Sequence, residues 1–136
     1  MKRFVVSESE GIKGKLPVEG GGGTFTVLID EEISGAQHFS LLVNEMKPGY
    51  KGREHSHSVE HCWYILRGTG IIRIAGQTYP IHPGDAVFAP IGTVHSVECT
   101  GDEPLRYLVI YAPQGPEKEL KNKMGFSSQK TATLRQ

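Results

Sequence analysis

Seven short apolar segments alternate with turn-forming sequence between Thr24 and Pro113, and this rhythm leaves little room for anything but a β fold. The segments are TFTVLI, HFSLLVNEM, CWYILRG, GIIRIAG, DAVFAP, HSVEC and LRYLVIYA, rich in the branched and aromatic residues that suit a pleated, half-buried surface. Between them lie KPGYKG, RGTG, AGQ, HPGD, PIGT and TGDEP, where glycine, proline and aspartate supply turn geometry. A chain of 136 residues is long enough for one buried core. Short strands at this spacing predict an all-β sandwich or barrel in a single domain.

The flanks read differently. Residues 1–23 form an N-terminal arm that ends in the run Gly20 to Gly23, expected as a flexible joint because four glycines lose much freedom on ordering. Residues 24–113 carry the β pattern. Residues 114–136 form a polar tail in which PEKELKNK predicts a short helix, with Glu117–Lys121 and Glu119–Lys123 at a weakly stabilising i,i+4 spacing. Beyond Gly125 the polar SSQKTATLRQ is expected to be loose.

Composition excludes several classes of function. Fifteen basic and fifteen acidic residues cancel, and no basic block is present, so neither nucleic acid nor an anionic membrane is an expected partner. No apolar run approaches the roughly 18 residues of a membrane span. The apolar part of MKRFVVSESEG is too short for a signal-peptide core, and a cytoplasmic protein is expected. Cys62 and Cys99 fit that compartment as reduced thiols.

Histidine carries the chemistry. Three of the six histidines fall within His55-Ser-His57-Ser-Val-Glu-His61. On an extended strand residues 55, 57 and 61 share one face, while Glu60 and Cys62 have the other parity. Imidazole is the commonest metal ligand. His95, which opens the segment HSVEC after the turn Pro90-Ile-Gly92, can add a fourth from a second strand. His38 and His82 have no partner at a ligand spacing and are read as surface histidines.

These residues resemble the cupin superfamily. Its first motif, G-x5-H-x-H-x3,4-E-x6-G, is matched by Gly49, His55, His57 and Gly68 in GYKGREHSHSVEHCWYILRG. Its second, G-x5-P-x-G-x2-H-x3-N, is matched by Gly84, Pro90, Gly92 and His95 in GDAVFAPIGTVHSVEC. Cys99 stands where the second motif closes with asparagine. His61 stands where the first usually has its glutamate ligand, with Glu60 one residue early and pointing away from the site unless a bulge shifts the register.

The resemblance implies a cupin β-barrel (a double-stranded β-helix, or jelly roll). It also implies the small single-domain type that holds one divalent transition metal with His55, His57, His61 and His95. Four neutral imidazoles leave about +2 at the ion, one charge more than a site with a carboxylate, and favour anionic oxygen ligands. The donor set points to Fe, Mn, Ni, Cu or Zn. Four protein ligands on an octahedral ion leave two positions open for catalysis.

Strand parity then nominates the cavity wall. Trp63 and Ile65 share the face of His61, and Val97 and Cys99 that of His95. Matching Pro113 to the end of the last strand in similar proteins implies that Leu108 and Ile110 face inward, and Leu42 with Asn44 are expected inward on the strand before Pro48. Arg53 and Tyr50 fall on a rim loop. No acid or base beside the metal is identifiable, so the catalytic residues are left unassigned.

By resemblance, the expected activity is that of a metal-dependent oxidoreductase of the dioxygenase type acting on a small organic molecule. The alternatives are a Lewis-acid lyase, isomerase or decarboxylase for a hydroxy, keto or sugar acid, and a small-molecule-binding cupin without turnover. A homodimer is expected from the same resemblance.

Overall fold

The computed structural model describes residues 2–124 and folds the strand-like segments into two antiparallel sheets. In chain order the elements are β1 (Ile12–Lys15), β2 (Gly23–Ile29), α1 (Glu31–Ser34), β3 (Ser40–Met46), β4 (Glu60–Arg67) and β5 (Gly70–Ile74). Then follow β6 (Gln77–Ile81), β7 (Ala86–Ala89), β8 (His95–Cys99), β9 (Leu105–Ala112) and α2 (Pro116–Met124). The larger sheet has the order β1-β2-β3-β9-β4-β7 and the smaller β6-β5-β8, a jelly-roll arrangement with all-β character as expected. Among the described residues, no helix is long and apolar enough to cross a membrane.

The core lies between the sheets. Phe25, Leu42, Ile65, Ile72, Leu105 and Val109 are almost fully buried there, and burial of such side chains contributes about 1.5–3 kcal/mol each. Strand β9 is central and sets the register of its neighbours. Its burial alternates strictly from Leu105, so Leu105, Tyr107, Val109 and Tyr111 face inward.

That alternation corrects the expectation for Leu108 and Ile110. Tyr111 lies opposite His61, Val109 opposite Trp63 and Tyr107 opposite Ile65, and directly opposed residues share a face. Leu108 and Ile110 oppose Tyr64 and Cys62 on the outer face. The run LRYLVIYA is apolar at both parities, so its hydrophobic pattern does not identify the inner face.

The flanks are more ordered than their composition suggests. Strand β1 pairs with β2 and extends the large sheet, so part of the expected arm belongs to the barrel. The glycine run packs rather than hinges: a Cβ on Gly22 would come within 2.3 Å of the Tyr50 ring. Helix α2 forms where PEKELKNK predicts one, but Glu117 does not pair with Lys121. Glu117 is buried and accepts hydrogen bonds from Ser40 Oγ and the Gly115 N–H, both at 2.8 Å. Lys121 instead reaches Asp30 at 2.8 Å and Glu32 at 2.7 Å, fastening α2 to α1. Lys123 and the segment after Gly125 lie outside the residues whose side chains are described. Cys62 and Cys99 are free thiols.

The motif glycines Gly49, Gly68, Gly84 and Gly92 all have positive φ. Gly68 is the most constrained: at φ +78°, an added Cβ would lie 2.3 Å from the Pro104 carbonyl oxygen. Gly76, at φ +80° in the β5–β6 hairpin turn, has open space around it. Gly68→Ala is therefore expected to destabilise the fold by well over about 1 kcal/mol, and Gly76→Ala by about that amount. Thermal melts of the two variants check the order, and an equal or reversed loss would contradict it.

Candidate metal centre

The histidines converge in the gap between the two sheets, from three separate stretches of backbone. His61 opens β4 on the large sheet and His95 opens β8 on the small one. His55 and His57 do not share β4 with His61, as a single-strand reading would have it. They lie on an extended segment that runs beside β8, where His55 and His95 exchange backbone hydrogen bonds of 3.0 and 2.8 Å. The His57 carbonyl accepts the Gly92 N–H at 2.8 Å, tying this segment to the turn before His95. A bend at residues 58–59 then carries the chain to the large sheet.

One ligand atom from each of His55, His57 and His95 falls within 4.8 Å of the others, a grouping able to hold a metal ion. His61 is not part of that tight set but borders it, with its ring centroid 5.0 Å from that of His95 and 5.3 Å from that of His57. Glu60 is exposed on the opposite face of β4, while His61 is only 4% exposed.

Hydrogen bonding orients two of the rings. His95 Nδ1 lies 3.1 Å from the Thr93 carbonyl oxygen and His55 Nδ1 lies 2.7 Å from that of Arg53. In the neutral imidazole those nitrogens carry the proton, which leaves each Nε2 lone pair for a metal. His61 is held by aromatic packing: it stacks on Trp63 at 3.7 Å and lies 4.5 Å from the Tyr111 ring.

The nitrogens that remain are buried without partners: Nε2 of His57 and His95, and both nitrogens of His61. Leaving a buried polar group unpaired costs about 1–3 kcal/mol. A cation that accepts these lone pairs removes the cost, and the donor set therefore fits a divalent transition metal. Burial, reinforced by the neighbouring imidazoles, also lowers the proton affinity of the rings. His57 and His95 are each brought down to about 4, and His61 is lowered further still. All three are consequently neutral and competent as ligands at neutral pH.

These side chains stand on the wall of a cavity of about 690 Å³, within the range of small-molecule sites. Of the residues nominated from parity, Asn44, Trp63 and Val97 line it, and so does Arg53 of the expected rim loop. Leu42 faces inward but is sealed in the core rather than on the wall, and Ile65 and Cys99 are likewise core residues. Leu108 and Ile110 are absent from the wall for the reason of register given above. His38 and His82 are exposed and remote from the cluster.

Sequence reasoning missed Tyr107, Tyr111, Glu54, Gln114 and Glu119, which all line the cavity. The tyrosines were recoverable from the correct parity of β9. Gln114 and Glu119 reach the cavity only through the docking of α2, which no local pattern signals. Burial pushes the Tyr107 hydroxyl up to about 12 and raises that of Tyr111 as well. Both phenols are thus protonated hydrogen-bond donors at neutral pH.

Comparison with known proteins agrees with this geometry. The family described as "Cupin domain" matches residues 42–111. The mannose-1-phosphate guanylyltransferase RfbM of Salmonella typhimurium is 30% identical over 105 residues, covering 73% of this chain. The match spans only 22% of that protein's length. Among solved structures, a predicted oxalate decarboxylase from Thermotoga maritima superposes with a TM-score of 0.72 at 26% identity. It covers 82% of this chain and 100% of its own. The polyketide cyclase RemF from Streptomyces resistomycificus gives a TM-score of 0.71 at 28% identity, covering 85% of this chain and 82% of its own.

The lowered proton affinities set a pH dependence for the metal-free protein. The unfolded imidazoles titrate near 6.5 and those of His57 and His95 near 4 in the fold. Between these values the unfolded state binds more protons, so stability rises with pH. The metal-free Tm is expected to fall as pH drops from about 6.5 to about 4, with a shallower fall in His57→Asn. A flat Tm across that window would contradict the burial of neutral imidazoles.

Proposed function

The chain belongs to the cupin family, and from this premise we propose that it is a metal-dependent enzyme acting on a small oxygenated organic molecule, a carboxylate or an enolisable carbonyl compound. The observation that carries the reading is the set of buried histidine nitrogens without partners, facing a cavity that also presents phenolic donors. His55, His57 and His95 would hold the ion, and His61 is proposed as the fourth ligand. Bound there, a divalent metal supplies Lewis acidity toward a substrate oxygen.

The chain's own residues supply the remainder. Trp63, Met46, Val59 and Val97 give the cavity apolar walls that exclude water from the reacting centre. Tyr111 packs against His57 and His61, and its hydroxyl keeps its proton at neutral pH. It is therefore suited to donate a hydrogen bond to a substrate oxygen rather than to act as a base. Glu119, exposed on the wall contributed by α2, brings a carboxyl group to the cavity. Proton-handling groups on the wall favour non-oxidative chemistry, such as cyclisation, decarboxylation or isomerisation. The similarity to a polyketide cyclase and to a predicted oxalate decarboxylase supports the same class.

A second reading, dioxygenase-type oxidation, is favoured by one feature: the donor set is all nitrogen and the surrounding wall is largely apolar. The two readings separate cleanly. Protein loaded with zinc or with ferrous iron is incubated in D₂O, under nitrogen and under air, with a panel of 2-oxo, 3-oxo and hydroxy acids. NMR then reports carbon-bound deuterium and product. The expected result is exchange or turnover with zinc under nitrogen, lost in His95→Ala. Reaction confined to iron under air would assign oxidation instead. Metal retention without any reaction across the panel would leave a binding role.

A further inference from the structure

One polar group on the cavity wall has no part in holding a metal and has an oxygen without a partner. Asn44 is 5% exposed, lines the cavity, and its Oδ1 makes no hydrogen bond. It lies directly opposite Tyr107 in the β3–β9 pair, and Tyr107 is 3% exposed on the same wall. Opposed on the inner face, the Asn44 amide and the Tyr107 phenol stand side by side on the cavity wall. The pair therefore offers an acceptor, Asn44 Oδ1, and a donor, the Tyr107 O–H. A ligand hydroxyl can satisfy both at once, because it donates one hydrogen bond and accepts others.

The position of the pair specifies the shape of the ligand. His61 is opposed by Tyr111 and Ile65 by Tyr107, four residues earlier on β9. Four residues of strand correspond to roughly 13 Å. A molecule that engages the histidine cluster at one end and Asn44 at the other is therefore elongated, far beyond a two-carbon diacid. The cavity of about 690 Å³ has room for it.

We infer that Asn44 and Tyr107 form a second recognition point, which takes a hydroxyl at the far end of an elongated organic molecule whose other end carries an oxygen anion. The inference rests on the reading of the histidines as a metal centre and adds the substrate class to it. Asn44 is a specificity-determining residue in this account. A site built to bond a hydroxyl rejects an analogue that lacks one, because its buried polar groups are then left unpaired.

The test uses calorimetric titration of the zinc-loaded protein with two probes, 4′-hydroxybiphenyl-4-carboxylate and 4′-methylbiphenyl-4-carboxylate. The wild type is expected to bind the hydroxyl compound at least about tenfold more tightly, the effect of one well-formed hydrogen bond. Asn44→Leu is expected to bring the two within about twofold of each other by weakening only the hydroxyl compound. It should also raise the Tm of the ligand-free protein, because a buried carbonyl oxygen without a partner is removed. Tyr107→Phe, which keeps the ring, is expected to reduce the preference without abolishing it.

Equal binding of the two probes by the wild type, a preference that survives Asn44→Leu, or binding of neither probe at millimolar concentration would each overturn the inference. Zinc content measured on the same samples keeps the two levels apart. A chain that holds zinc but shows no hydroxyl preference loses only this inference, whereas a chain that takes up no zinc loses the metal reading beneath it.

Discussion

Four imidazoles face one another across the gap between two sheets, and most of their free nitrogens are cut off from water and from any other partner. At His57, His61 and His95 burial and mutual repulsion both oppose a positive charge on the ring, so these three are held neutral. The arrangement brings one ligand atom each of His55, His57 and His95 within 4.8 Å of one another with His61 beside them, a grouping that a metal cation could complete. The rest of the fold can be understood as the frame that keeps those lone pairs together. The extended segment carrying His55 and His57 is stitched to β8, and the positive-φ glycines Gly49 and Gly92 allow the chain to turn into and out of that contact.

The same frame divides labour between the sheets. The small sheet and the segment beside it bring His55, His57 and His95, while the large sheet brings His61, Trp63 and the tyrosines of β9. Because ligands and wall residues sit on hydrogen-bonded strands, their separation is fixed by ladder register rather than by loop conformation. Helix α2 completes the wall. Its attachment relies on Glu117 turned into the interior toward Ser40 and on Lys121 joined to Asp30 and Glu32, so a polar tail segment is recruited to the site.

Much of this was legible in the chain. Short apolar segments with glycine and proline turns implied the β fold, and the histidine spacings implied the cluster, because both depend on local periodicity and turn chemistry. The inward position of His61 and the outward position of Glu60 agree with the motif spacing to Gly68 and with strand parity, although His55 and His57, which that parity grouped with His61, lie on a separate segment beside β8. Leu108 and Ile110 were placed on the wrong face by matching Pro113 to the strand end of similar proteins; β9 is apolar on both sides, so only its pairing with β4 decides the matter. Leu42 had the right parity but the wrong depth, since parity says nothing about which inward residues reach the cavity. The glycine run looked mobile because its composition is permissive, and the Tyr50 ring that packs on it comes from thirty residues away. Gln114 and Glu119 were hidden for a similar reason, as their place depends on tertiary docking.

Nitrogen donors from four histidines, and no carboxylate, are proposed to hold one metal ion. Elemental analysis of the purified chain beside His61→Ala and Glu60→Ala tests it most directly. The account predicts about one metal per chain in the wild type and in Glu60→Ala, and in His61→Ala a loss of affinity exceeding the roughly 10–100-fold that removal of an outer-shell partner costs. Loss of the metal in Glu60→Ala with retention in His61→Ala would contradict it.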